Sequence, residues 1–134
     1  MKLNRIFDIL QNSFDNFPDK ADALVNKAIG VWIEHSVREY YDTAHKIGYG
    51  LMAMGLLTGD RVSTISNNRP EWNYLDMALR QTGLIHVPIY PTLSESDYEY
   101  ILTHAEPKML VVSDKSLLAK LEPVAKKVNP KIMV

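Results

Sequence analysis

The chain has 134 residues, 46% of them hydrophobic, and a formal charge of −1, which fits one globular domain able to bury roughly two-thirds of its unfolded surface. With no basic excess and no local basic cluster, the electrostatic footprint of a nucleic-acid binder is missing. With no cysteine, disulfides and thiolate metal sites are excluded. The opening MKLNRIFDIL contains no apolar run of signal-peptide or transmembrane length, so the expectation is a soluble, cytoplasmic chain.

In chain order, Leu3, Ile6, Phe7, Leu10 and Phe14 recur at helical spacing and predict a short amphipathic helix that stops before Pro18, because a proline disfavours helical backbone at the residue before it. The apolar runs ADALVN and GVWIEHS predict a hairpin with Gly30 in its turn. Ser36 and Glu39 have capping-box spacing, and the helix they open carries Val37, Tyr40, Tyr41, Ala44, Ile47, Leu51 and Met54 on one face before ending at Gly55. Gly48 and Gly50 inside that helix each cost roughly 1 kcal/mol relative to alanine, which predicts close packing there.

From Arg61 the pattern becomes a regular alternation. RVSTIS, IHVPIY, KMLVVS and KIMV read as strands, with helices starting near Pro70, Glu95 and Lys115. The repeat of about 23 residues implies short loops and a parallel α/β sheet. Ser94 with Asp97 forms a second capping box, and Pro70 suits the first turn of its helix. Pro88 within a strand predicts an edge position or a bulge, and Pro123 within a helix predicts a kink or a break. The division expected is one partial domain over residues 1–134, with a helix, a hairpin and a helix over 1–57 and strand-helix repeats over 58–134.

Chemistry in an open parallel sheet collects at the carboxyl ends of its strands. The first such loop, SNNRPEW, offers Asn67, Asn68 and Arg69 as groups able to hold a phosphate or carboxylate; the plainer expectation is that the asparagines cap the helix and Trp72 packs in the core. The second, YPTLSES, offers Tyr90, Thr92 and Ser94 among ordinary turn residues. The third, SDKS, is a plain helix start capped by Ser113 or Asp114. No glycine spacing gives a P-loop or a dinucleotide fingerprint. His35, His45, His86 and His104 lie on different elements without metal-ligand spacing, so neither a metal site nor a catalytic triad is expected. A phosphorylation receiver would need acidic residues after the first parallel strand, where Asn67 and Asn68 stand instead.

LTGDRVSTISNNRPEW, followed by GLIHVPIYPTLSESDYEYIL, closely resembles the early part of the AMP-forming acyl-CoA synthetases of the adenylate-forming superfamily. The wording VPIYPTLS is most similar to the long-chain fatty acid branch. SVREYYDTAHKIGYGLMAMGL resembles the capped helix preceding this region, so the resemblance covers nearly the whole chain. It implies an N-terminal-domain α/β fold and a two-step ligase: a fatty acid carboxylate attacks the α-phosphate of ATP with Mg²⁺, and the thiol of coenzyme A then displaces AMP from the acyl-adenylate. The family's phosphate loop, adenine-binding motifs and C-terminal-domain lysine lie beyond anything matched here. The resemblance therefore implies no catalytic residue and no bound cofactor within these 134 residues, and a parent enzyme able to sit peripherally at a membrane.

In some relatives the loop corresponding to IYPTLS lies near the nucleotide end of coenzyme A, which makes Tyr90, Pro91, Thr92 and Ser94 candidates for lining that site. Asn68, Arg69, Pro70, Glu71 and Trp72 match a family motif of architectural character, with Arg69 or Glu71 tying the helix start to neighbouring loops. Two readings stay open: an N-terminal portion of a long-chain acyl-CoA synthetase, inactive alone, or an independent α/β module for binding or assembly that works through protein contacts. The apolar ending KIMV adds an expectation of homo-oligomers formed through uncovered apolar surface.

Overall fold

The computed structural model describes residues 3–134. Its elements run α1 (Ile6–Asn16), β1 (Leu24–Ala28), β2 (Val31–His35), α2 (Val37–Ala53), β3 (Arg61–Ile65), α3 (Pro70–Gln81), β4 (Ile85–Ile89), α4 (Glu95–Ala105), β5 (Met109–Val112), α5 (Lys115–Val128) and β6 (Lys131–Met133). This is an α/β fold in which a helix, a hairpin and a capped helix precede a parallel strand-helix core. Two compact units form. One contains the chain up to Gly55 together with Arg69–Thr82; the other contains Leu56–Asn68 and Gly83–Val134.

In the first unit, α1 begins where Asp8 accepts the backbone N–H groups of Asn4 and Arg5 at 3.1 and 2.9 Å and the Arg5 guanidinium at 2.8 Å. These bonds satisfy donors that a helix start otherwise leaves orphaned. The helix ends at Asn16, with Phe17 as its cap just ahead of Pro18. Leu3 stays outside it and exposed. Phe14 stacks on Tyr41 of α2 with ring centroids 4.0 Å apart.

The hairpin pairs Ala28 with Val31 and turns through Ile29 and Gly30 alone, so β1 runs further than the apolar run ADALVN suggests. Both turn residues have positive φ, 50° and 81°. Two left-handed residues give the twist that matches antiparallel strands, a position that normally selects Asn, Asp or Gly first and Gly second.

The capping box predicted for α2 is half formed. Ser36 Oγ accepts the Glu39 N–H at 3.1 Å, but the Glu39 carboxylate turns to His35 Nδ1 at 2.9 Å and also accepts the Tyr74 hydroxyl at 3.4 Å. A ring N–H beside the helix start outcompetes the Ser36 amide. The predicted packing at the two glycines divides as well. A Cβ on Gly48 would sit 3.2 Å from Thr82 Cγ2, whereas one on Gly50 would meet nothing within 4 Å.

The asparagines do not cap α3, contrary to the plainer expectation for that loop: the N-cap is Arg69, and Asn67 and Asn68 are exposed. The proline ring at Pro70 forces Arg69 out of the helical region, to φ −160° and ψ 154°, which places the boundary there. Trp72 is half-buried rather than a core residue.

In the second unit all four strands are parallel, in the order β4-β3-β5-β6. Period-2 alternation sends Ile65, Ile89, Leu110 and Val112 to one face, where they pack with Tyr98 and Leu102 of α4 and Leu121, Val124 and Ala125 of α5. Burying each of the large aliphatic side chains contributes about 1.5–3 kcal/mol. Pro88 lies on the edge strand β4, as expected of a residue without a backbone donor. Pro123 does not break α5, which runs unbroken from Lys115 to Val128. The ring lies on the exposed side, while Leu121, Val124 and Ala125 are buried on either side of it. Packing on both sides outweighs the roughly 3 kcal/mol cost of an internal proline.

Candidate functional site

Three loops leave the carboxyl ends of the parallel strands. The loop after β4, residues 90–94, is held by side chains from two helices. The Tyr98 hydroxyl of α4 donates to Tyr90 O at 3.1 Å, and the Lys120 ammonium of α5 donates to Leu93 O at 2.8 Å. Burial pushes the Tyr98 phenol up. Lys120 Nζ lies 5.1 Å from the centre of the Tyr98 ring. On this frame the Tyr90 ring is 78% exposed, Thr92 and Ser94 are exposed, and Pro91 is half-buried.

At the start of α4 the predicted capping box is complete. Ser94 Oγ accepts the Asp97 N–H at 3.3 Å, and Asp97 accepts the Ser94 N–H at 3.2 Å. The Ser94 hydroxyl bond holds the Asp97 carboxyl below its usual range. After β5, the cap of α5 is Asp114. Its carboxylate accepts the Leu117 N–H at 2.9 Å and the hydroxyls of Ser116 and Ser113. These bonds, the one from Ser116 first, hold Asp114 at about 2. Asn67 N, from the loop after β3, donates to Ser113 Oγ at 3.4 Å.

In the first unit, Arg69 grips Glu71 with two parallel hydrogen bonds, Nε to Oε2 at 2.9 Å and a terminal nitrogen to Oε1 at 2.8 Å. This fork holds Glu71 at about 2. The two residues of the motif expected to tie α3 to neighbouring loops thus engage each other. Pro70 beside them is buried. A cavity of about 280 Å³ in the same unit is lined by Leu10, Phe17, Val37, Tyr40 and Met77, with Ser13 and Lys20 as its charged or hydroxylic neighbours. Ser13 is spent on Ile9 O, Lys20 on Asp22 and the Tyr40 hydroxyl on Asn73 O.

The histidines do local work. His35 bridges Asn26 and Glu39, His45 donates to Tyr41 O, His86 bonds Thr64 Oγ1, and His104 stacks on Tyr100. Among the described residues no three His, Asp or Glu side chains converge as metal ligands, and no helix is long and apolar enough to cross a membrane.

A nucleoside triphosphate needs unengaged N–H groups, cations or bound metal around its phosphates. The residues present do not fit one. No glycine occurs in the loops at 66–69, 90–94 or 113–114. Each helix that follows carries its own anion in the first turn or at the cap: Glu71 on α3, Glu95 and Asp97 on α4, Asp114 on α5. Those carboxylates already use the helix-start field that would attract a phosphate.

Sequence reasoning missed Tyr98 and Lys120. Tyr98 had a signal: it lies four residues after the Ser94 cap, and a helical side chain leans back toward the N-terminus, over the loop. Lys120 had none, being 27 residues from the carbonyl it holds.

Comparison with known proteins gives the chain relatives of two kinds. Long chain acyl-CoA synthetase 1 of Arabidopsis thaliana is 31% identical over 129 residues, covering 93% of this chain and 20% of the relative. Fatty acyl-CoA synthetase A of Dictyostelium discoideum is 32% identical over 112 residues, covering 84% and 17%. The chain therefore spans about a fifth of the length of these curated relatives. Among solved structures, the complex of VinN with L-aspartate superposes with a TM-score of 0.83 at 16% identity, over 96% of this chain and 34% of that one, a likeness of fold. The family described as AMP-binding enzyme matches residues 10–134. That match runs from the first helix through the hairpin, both capped helices and every parallel strand, and on it the chain belongs to the AMP-binding, adenylate-forming enzymes.

Proposed function

We propose that this chain is the N-terminal scaffold portion of an AMP-forming long-chain fatty acid–CoA ligase. The observation that carries the reading is the 31–32% identity to long-chain and fatty acyl-CoA synthetases over most of the chain. In the whole enzyme the reaction joins a long-chain fatty acid to coenzyme A, with ATP and Mg²⁺ driving formation of an acyl-adenylate. The carboxylate-capped helix starts leave the phosphates to segments outside these 134 residues. The scaffold's contribution is positional. Tyr90, Pro91, Thr92 and Ser94 line the approach of coenzyme A; an exposed phenol ring and a proline suit a nucleoside better than they suit phosphates. Asn68, Arg69, Pro70, Glu71 and Trp72 serve as an architectural motif that sets the start of α3.

On this reading the chain alone forms no acyl-adenylate. Pyrophosphate release by the purified chain, with ATP, Mg²⁺ and a long-chain fatty acid, is expected to equal that of a protein-free control. Release that depends on the fatty acid and exceeds the control would overturn the reading.

A further inference from the structure

We propose that Tyr98 and Lys120 are positioning residues that latch the 90–94 loop at both ends, so that the exposed Tyr90 ring is presented in one place. The inference rests on the reading of this loop as the surface facing coenzyme A.

The Tyr98 phenol is fully buried, and its hydroxyl reaches the loop, donating to Tyr90 O at 3.1 Å. Lys120 adds a charge-assisted bond to Leu93 O at 2.8 Å, so the two ends of the loop are tied by one phenol and one ammonium. The cation lies 5.1 Å from the same ring, a distance at which an ammonium and an aromatic face attract. Tyr98 belongs to α4 and Lys120 to α5, two helices packed on one face of the sheet through a shared core. The latch therefore refers the loop to the packed core of this unit rather than to its own flanks. A surface aromatic on a pinned backbone loses little further entropy when a planar group stacks on it, the general advantage of preorganisation.

The deletion is clean in both cases. Tyr98→Phe keeps the buried ring and removes only the oxygen; Lys120→Met keeps most of an exposed side chain and removes the ammonium, and Lys120→Arg restores a donor. In the full chain, the backbone amide order parameters of Thr92 and Leu93, read by NMR relaxation, are expected to fall from about 0.85 to about 0.6 or below in Tyr98→Phe and in Lys120→Met, and to return toward the parent values in Lys120→Arg. Titration with coenzyme A is expected to shift the Thr92 and Leu93 resonances of the parent chain. Its affinity should fall about tenfold in the two latch variants while the thermal midpoint of Lys120→Met stays within a few degrees of the parent. Unchanged Thr92 and Leu93 order parameters in both variants would overturn the latch. If coenzyme A shifts no loop resonance in the parent chain, the coenzyme reading fails, and the relaxation measurement still decides the latch.

Discussion

At the scale of single residues, the chain keeps some positions for packing and tolerates others at a cost. Gly48 and Gly50 look alike in sequence, and their surroundings separate them. The Thr82 methyl facing Gly48 cannot swing away freely, because its hydroxyl is bound to Ala78 O at 2.8 Å and Leu79 O at 3.1 Å. Gly50→Ala should stabilise the chain by about 1 kcal/mol through helix propensity, while Gly48→Ala should forfeit that gain in displacing Thr82; chemical denaturation of the two variants, with Gly48→Ala the less stable, is the measurement. Ile29 is the opposite case, a β-branched residue at φ 50° with its side chain wholly exposed. It carries backbone strain and buries nothing, so Ile29→Asn should raise stability by about 1 kcal/mol, and an unchanged or lowered denaturation midpoint would contradict that. Gly30 could be read from sequence because a hairpin turn demands it. The strain at Ile29 could not, since the turn's second left-handed position becomes known only once the register Ala28↔Val31 is fixed.

At the scale of elements, strands and helix starts were legible because each has a local cause: short runs rich in β-branched and apolar residues in β3 to β5, the Ser94–Asp97 pair, Pro70 at the first turn. Elsewhere tertiary packing decides. Pro123 stays inside α5 because buried residues on both sides hold the helix together, and the Ser36–Glu39 box opens because His35 offers Glu39 a better donor. The caps also set a pH dependence. Asp114 has a folded pKa of about 2 against an ordinary 3.8, and Glu71 about 2 against 4.5. A depressed carboxylate contributes stability that is present above its unfolded pKa and lost as pH falls through the folded one. The thermal midpoint should therefore drop between about pH 4.5 and pH 2, and Asp114→Asn, which keeps a capping oxygen without the charge, should flatten the lower part of that fall; an identical pH profile in the variant would count against the cap. At the far edge of the sheet, Ile132 of β6 is 47% exposed and Val134 just after it 57% exposed, an apolar strand edge of the kind that pairs with another chain. Self-association through that edge is the expectation, read by light scattering as a mass above 15.3 kDa that Ile132→Lys reduces; a monomer unaffected by the substitution would dismiss it.

At the scale of the whole molecule, the fold is that of an adenylate-forming enzyme, yet the helix starts after β3, β4 and β5 each hold a carboxylate and the loops before them hold no glycine. Both facts have physical roots in the same places. Short loops and well-capped helices make the parallel sheet easy to recognise, and the carboxylates that cap those helices occupy the positions where an anion would sit. The candidate site was legible only as a loop with exposed Tyr90, Thr92 and Ser94; the side chains that hold it, Tyr98 and Lys120, became visible once α4 and α5 were seen packed on one face. On the proposed function, this chain supplies scaffold and leaves the phosphate chemistry to other segments of a longer enzyme. Calorimetric titration of the chain with ATP and Mg²⁺ tests it most directly. No binding at micromolar nucleotide is the predicted result, and a saturable isotherm with micromolar affinity would contradict it.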